Sequence, residues 1–185
     1  MPDFSPGNRF AVRELSSTDY TDVCGIYMKT FPCVDDADFI DSWLTRTHQF
    51  SLALLDRTRL REKSQLIGFG IVSPYNHNDF PNISEKLWFL AVDSSVRGGG
   101  AGSFLLDAII EATLQHKGLN GLCLAPVNED RIIHWYEKKG FQIIQRLPFI
   151  HEDIPTCLMA LDDTSETITL STVSSRRSSD SEGSL

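Results

Sequence analysis

Short apolar runs along this chain alternate with stretches in which apolar residues return every three or four positions, so both strands and helices are predicted. Phe10, Val12 and Leu15 are spaced for a short strand, and the Ser-Ser-Thr-Asp-Tyr segment that follows offers caps for a helix from about Tyr20 to Lys29. Phe31, Pro32 and Cys33 end it, and a second helical pattern over residues 36–44 sets Phe39, Ile40, Trp43 and Leu44 on one side. Two apolar runs, residues 49–56 and 65–74, are joined by the charged link RTRLREKS and predict a hairpin. A loop rich in Pro, Asn and Ser leads to EKLWFLAV, residues 85–92, an almost unbroken apolar run of the kind that is buried on both faces of a sheet.

Helical spacing resumes at Ser103, where Leu105, Leu106, Ile109, Ile110 and Leu114 form a stripe opposite Asp107, Glu111 and Gln115. Lys117 and Gly118 mark its end. The segment LNGLCLAPV predicts another strand, and Asn128 is placed to cap a helix with Glu129 and Asp130 in its first turn and Lys138, Lys139 and Gly140 at its end. FQIIQRL and TCLMAL predict two closing strands. After about Asp162 the chain turns rich in Ser and Thr with little to bury, so residues 1–161 are expected to fold as one domain and residues 162–185 to be a disordered tail. Within that tail, Arg-Arg-Ser-Ser followed by Asp-Ser-Glu is a candidate phosphorylation site.

Composition adds bounds. With 185 residues, 41% of them hydrophobic and 23% charged, the chain is a globular domain of ordinary size. A net charge of −8 argues against a nucleic-acid surface and favours cationic partners. Cys24, Cys33, Cys123 and Cys157 form no CxxC pair and no metal-like cluster with the histidines, which fits reduced thiols and no metal site. Nothing at the amino terminus has the form of a signal peptide and no run is long enough to cross a membrane, so a soluble protein is expected, cytoplasmic or nuclear, as a monomer or homodimer.

The candidate chemistry lies in VRGGGAGS, residues 96–103, between the buried strand and the long helix. Consecutive glycines inside a folded segment carry an entropic cost, and a strand, a glycine turn and a helix amino terminus together form a general phosphate cradle. A P-loop requires Gly-Lys followed by Ser or Thr, and there is no lysine here. A dinucleotide G-x-G-x-x-G fails as well, because its third glycine would fall on Ser103 or Leu105.

Arg97, Gly100 and Gly102 match R/Q-x-x-G-x-G/A, and HWYEKKGF lies downstream at a matching distance. In these two blocks, across roughly residues 86–142, the chain resembles the GNAT superfamily of acetyl-CoA-dependent N-acetyltransferases. The resemblance implies an α/β fold with a mixed, mostly antiparallel sheet, a bulged central strand splayed from its neighbour, and flanking helices. It implies that acetyl-CoA binds through Arg97, Gly98, Gly99, Gly100, Ala101, Gly102 and Ser103 at its pyrophosphate, and through backbone groups of Leu90, Ala91 and Val92 along its pantetheine arm. Asn128 stands one residue off the family's pantetheine-contacting asparagine, and Glu129 holds the usual place.

Tyr136 takes the family's tyrosine position, which implies a general acid for the leaving thiolate. Leu87, Trp88 and Phe89 offer no base, so Glu85 is the preferred candidate, ahead of His134 and His151. Cys123 is expected to be a buried core residue and not an acyl carrier. The implied reaction is direct attack of a primary amine on acetyl-CoA in a ternary complex. A small cationic amine of the arylalkylamine or polyamine type fits the net charge, and a protein lysine or amino terminus is the enzymatic alternative. A non-catalytic acetyl-CoA-binding module is the rival from another class.

Overall fold

The structure is a computed structural model, and it describes residues 8–31, 50–59, 65–76, 78–117, 121–127, 129–151 and 154–161. Among them, β1 (Phe10–Glu14), α1 (Tyr20–Thr30), β2 (Phe50–Asp56), β3 (Leu66–Pro74) and β4 (Ile83–Val92) come first. They are followed by α2 (Ala101–Lys117), β5 (Gly121–Leu124), α3 (Asp130–Glu137), β6 (Gln142–His151) and β7 (Ile154–Leu161). Seven strands form one sheet in the order β1-β2-β3-β4-β5-β7-β6.

The predicted hairpin is β2 and β3, and β4 continues the meander antiparallel to β3. Because α2 carries the chain back across the sheet, β5 joins β4 in parallel, the one parallel pair among the described strands. The two faces then carry different helices. Leu52, Leu54, Ile67, Leu87, Leu105, Leu106 and Ile109 pack together beneath α2, while Ala53, Phe69, Ile71 and Ala91 meet Val23, Ile26 and Tyr27 of α1. Helix α2 lies so close to β3 that a Cβ on Gly70 would collide with Ile109 Cδ1.

Buried carboxylates fasten the β1 edge. Asp56 accepts from Arg9 Nε at 3.1 Å and Nη2 at 2.6 Å, and from Thr58 Oγ1 at 2.6 Å. Asp19 takes both Nη groups of Arg13 at 2.6 and 2.7 Å and the Ser16 N–H at 2.8 Å, a capping box on the short 3-10 turn Ser17–Asp19 that leads into α1, while α1 itself, with Asp19 as its first cap residue, has no side-chain cap bond. These donors hold both carboxyls at about 2, below the ordinary 3.8.

Several boundaries differ from the sequence pattern. Helix α2 starts at Ala101 and not Ser103, because glycine tolerates the first helical turn once the preceding turn has set its direction. Leu114, placed in its apolar stripe, is 37% exposed. The cap position of α3 belongs to Glu129, whose carbonyl receives the Ile132 and Ile133 N–H groups. At its far end Gly140 takes φ 93°, and Phe141 N–H returns to Tyr136 O at 3.2 Å, the expected glycine stop. The helical pattern over 36–44, Cys33, Gly118, Asn128 and the tail from 162 lie outside the described residues.

Candidate active site

The site begins with one extra residue in β4. Ile71 faces Phe89 and Val72 faces Leu87, so Trp88 has no partner on β3 and forms a bulge. On its other side β4 pairs with β5 only from Ile83 to Leu87, the last pair being Leu87 with Leu124. From Trp88 onward the two strands part, and β5 turns toward β7, where Val127 bridges Thr156.

Strand alternation decides which backbone groups enter the gap. Asp93 N–H donates to Ile67 O at 2.7 Å, so Ala91 and Phe89, at the same parity, direct their peptide groups toward β3. Leu90 and Val92 therefore present theirs to the open side. Of the three residues named from the sequence, Ala91 is the exception: it is in register with Phe69 and its methyl is buried on the α1 face.

The gap ends on the glycine turn. Asp93 Oδ1 accepts from Ser95 N–H at 2.8 Å to start a short 3-10 turn, and Arg97 Nε reaches back to Val92 O at 3.3 Å. Gly98 and Gly100 then take φ 85° and 82°, in the left-handed region that L side chains avoid, with open space where a Cβ would stand. Phe104 N–H is the first to close the α2 ladder, on Gly100 O at 2.9 Å. The N–H groups of Ala101, Gly102 and Ser103 precede that ladder and point out of the helix end, where the helix dipole is positive. This is an anion cradle made of backbone, and it opens onto the gap.

Helix α3 closes the other wall. Trp135 Nε1 donates to Ser103 Oγ at 3.2 Å and Lys139 Nζ pairs with Asp107 at 2.7 Å, which ties α3 to the start of α2. Between these ties Tyr136 lies edge-on to Trp135 and Phe141, with centroids 4.6 and 5.7 Å away. Its ring is buried, its hydroxyl has no hydrogen-bond partner among the described residues, and burial pushes the phenol upward, so it stays protonated.

Glu85 is the buried third residue of β4, in register with Pro74 and Leu122 on the same face as Leu87. His134 is exposed and meets Glu137 at 3.4 Å, on the outside of α3. His151 ends β6, with its side chain outside the described residues. Burial pushes the Cys123 thiol up to about 12, so it is an un-ionised core group.

Comparison with known proteins resolves the family. The model of the acetyltransferase (GNAT) domain matches residues 51–143, half of the chain. The chain belongs to the GNAT acetyltransferases. Among solved structures it is similar to Arabidopsis thaliana NAA60 in complex with a bisubstrate analogue, at 19% identity and TM-score 0.71, covering 83% of this chain and 98% of that one. The NatC complex bound to Gag peptide and CoA aligns at 14% identity and TM-score 0.68, over 84% and 99% of the two chains. Aminoglycoside 6'-acetyltransferase type Ii aligns at 19% identity and TM-score 0.63, over 82% and 96%. No curated protein matches the sequence significantly.

As a GNAT acetyltransferase the chain uses acetyl-CoA as acyl donor. The open gap, the positive-φ glycines and the free helix N–H groups suit a ligand with a pyrophosphate head and a long amide-bearing arm. On the face of the GNAT sheet opposite α2, Lys86, Trp88 and Tyr75 form a cluster in which the sequence had pointed to Trp88 alone, as an aromatic residue suited to an amine acceptor. Lys86 Nζ lies 3.8 Å from the Trp88 ring centroid and 5.1 Å from that of Tyr75. No motif marks these residues, and only the β3-to-β4 register brings them together.

Proposed function

We propose that this protein transfers acetyl from acetyl-CoA directly to a primary amine, with the thioester lying in the gap between β4 and β5. The observation that carries this reading is the geometry of the gap, which begins at the Trp88 bulge and ends on the N–H groups ahead of α2. Arg97 through Ser103 hold the pyrophosphate, and the N–H groups of Leu90 and Val92 face the arm and the thioester carbonyl. As the amine nitrogen attacks that carbon, charge develops on its oxygen, where a strand N–H is already oriented to receive it. The C–S bond then breaks and the sulfur leaves toward Tyr136.

The phenol is a poor acid in bulk terms, but the same exclusion of water that raises it also destabilises a bare thiolate beside it. Tyr136 therefore donates to the sulfur as the bond lengthens. Glu85, buried in the paired segment of β4 just ahead of the gap, takes the amine proton. Net charge −8 draws cations to the chain as a whole and supports a small cationic amine. Similarity to the peptide-bound NatC chain and to an aminoglycoside acetyltransferase supports peptide and small-molecule acceptors alike.

Thiol release from acetyl-CoA across arylalkylamines, polyamines, amino sugars and peptides tests the reaction. Turnover with one class establishes the transfer. Tight acetyl-CoA binding with no release across that panel would instead support a binding module.

A further inference from the structure

We propose that Lys86 reads a carboxylate carried by the acceptor next to its reacting amine. The inference rests on the transfer reading above and names the chemistry of its second substrate. Lys86 is in register with Cys123 of β5, one step before the Leu87–Leu124 pair at which the strands separate. Leu87 faces α2, so Lys86 projects from the other face, the one left to an acceptor once the coenzyme occupies the α2 end.

Its ammonium is held in place by its surroundings. Trp88 Nε1 donates to Ser73 Oγ at 2.8 Å, and Tyr75 meets the indole nearly edge-on, 6.3 Å between centroids at 83°. The indole cannot swing freely, and the ammonium over its face is localised with it. Among the described residues no carboxylate pairs with Lys86, and the adjacent Cys123 thiol carries no charge to offset it. Aromatic faces satisfy one side of an ammonium and leave N–H donors on the other. Partial burial depresses the Lys86 pKa, the sign of a cation short of compensation. The nest remains accessible, since Trp88 is 36% exposed.

A partly desolvated cation without a counterion favours a ligand that brings one and repels a ligand that is itself cationic. The local charge thus opposes the preference suggested by the whole-chain −8. The carboxylate has two possible sources: the side chain of an acidic residue following a peptide's amino terminus, or the carboxylates of a free amino acid.

The test compares a peptide beginning Met-Asp with its Met-Asn counterpart, free glutamate and spermidine, on wild type, Lys86→Met and Lys86→Arg. Methionine keeps contact with the indole and removes only the charge. The expected kcat/KM preference for Met-Asp over Met-Asn is about tenfold in wild type, absent in Lys86→Met and largely kept in Lys86→Arg, with the change residing in KM. A higher kcat/KM for glutamate than for Met-Asp identifies the free amino acid as the source. An unchanged preference in Lys86→Met, or spermidine as the best acceptor, overturns the proposal.

Affinities of the two peptides for the CoA-loaded protein give a readout independent of turnover. If no acceptor is acetylated but Met-Asp still binds more tightly through Lys86, the transfer reading fails and the carboxylate site stands. Equal affinities in wild type overturn the site.

Discussion

The two faces of the central gap are built from different materials. Toward α2 the walls are main chain: the peptide groups of Leu90 and Val92 that face away from β3, the turn at Gly98 and Gly100, and the first N–H groups of a helix. On the opposite face they are side chains, with Lys86, Trp88 and Tyr75 drawn from β4 and the end of β3. Main chain has the same donors whatever the sequence, so the first face suits a ligand common to a whole family. Side chains vary freely, so the second is where one chain sets its own acceptor.

If that division holds, substitutions on the two faces should separate coenzyme affinity from acceptor kinetics. The largest effect is expected for Gly100→Val. A β-branched residue is strained at φ 82°, and the turn must move away from the helix end. Acetyl-CoA affinity should fall by about a hundredfold or more, the scale of losing several charge-assisted hydrogen bonds, while circular dichroism stays native. Unaltered affinity in calorimetry would show that the pyrophosphate binds elsewhere.

Tyr136→Phe comes next, with kcat lowered by about ten- to a hundredfold and acetyl-CoA affinity little changed. In the wild type the raised phenol pKa predicts no loss of rate from Tyr136 ionisation below about pH 10. A fall in kcat on the alkaline side that disappears in the phenylalanine variant would contradict this.

The ion pairs at the β1 edge should move stability most, although Arg9 Nη1 also stands 4.0 Å from where a Gly99 Cβ would be. Asp56 is lowered from 3.8 to about 2, so its contribution is complete above pH 4 and is lost as pH falls from about 4 toward 2. Asp56→Asn should cost about 2 kcal/mol near neutrality, with the gap to wild type closing below pH 4 in denaturant titrations. A gap that does not narrow in acid would mean that packing, and not charge, is what Asp56 supplies.

The smallest effect should come from Trp88→Leu, which loosens the Lys86 nest without removing its charge. Acceptor KM should rise a few-fold, since a cation–π contact at a partly exposed site is worth about 0.5–1 kcal/mol. Acetyl-CoA affinity, measured alongside, should stay the same, and a parallel loss in both would merge the two faces into one.

Most of the face proposed for the coenzyme was legible along the chain. Three adjacent glycines between a buried apolar run and an amphipathic stretch are hard to explain without a backbone requirement, and HWYEKKGF pointed to Tyr136. Parity is what the chain does not mark: of Leu90, Ala91 and Val92, Ala91 turns to β3, because consecutive strand residues send their peptide groups to opposite sides.

The sequence by itself determined the order of elements, the glycine turn and the tyrosine, because each depends on residues adjacent in the chain or on spacing within one helix. Tertiary structure alone decided that Trp88 is the bulged residue, that Glu85 is buried where β4 and β5 are still paired, and that Lys86 stands over two aromatic rings with no carboxylate partner among the described residues. Those facts depend on register between strands that the chain reaches at different times. One extra residue in β4 changes which side chains face which helix, and no local pattern records where that residue lies.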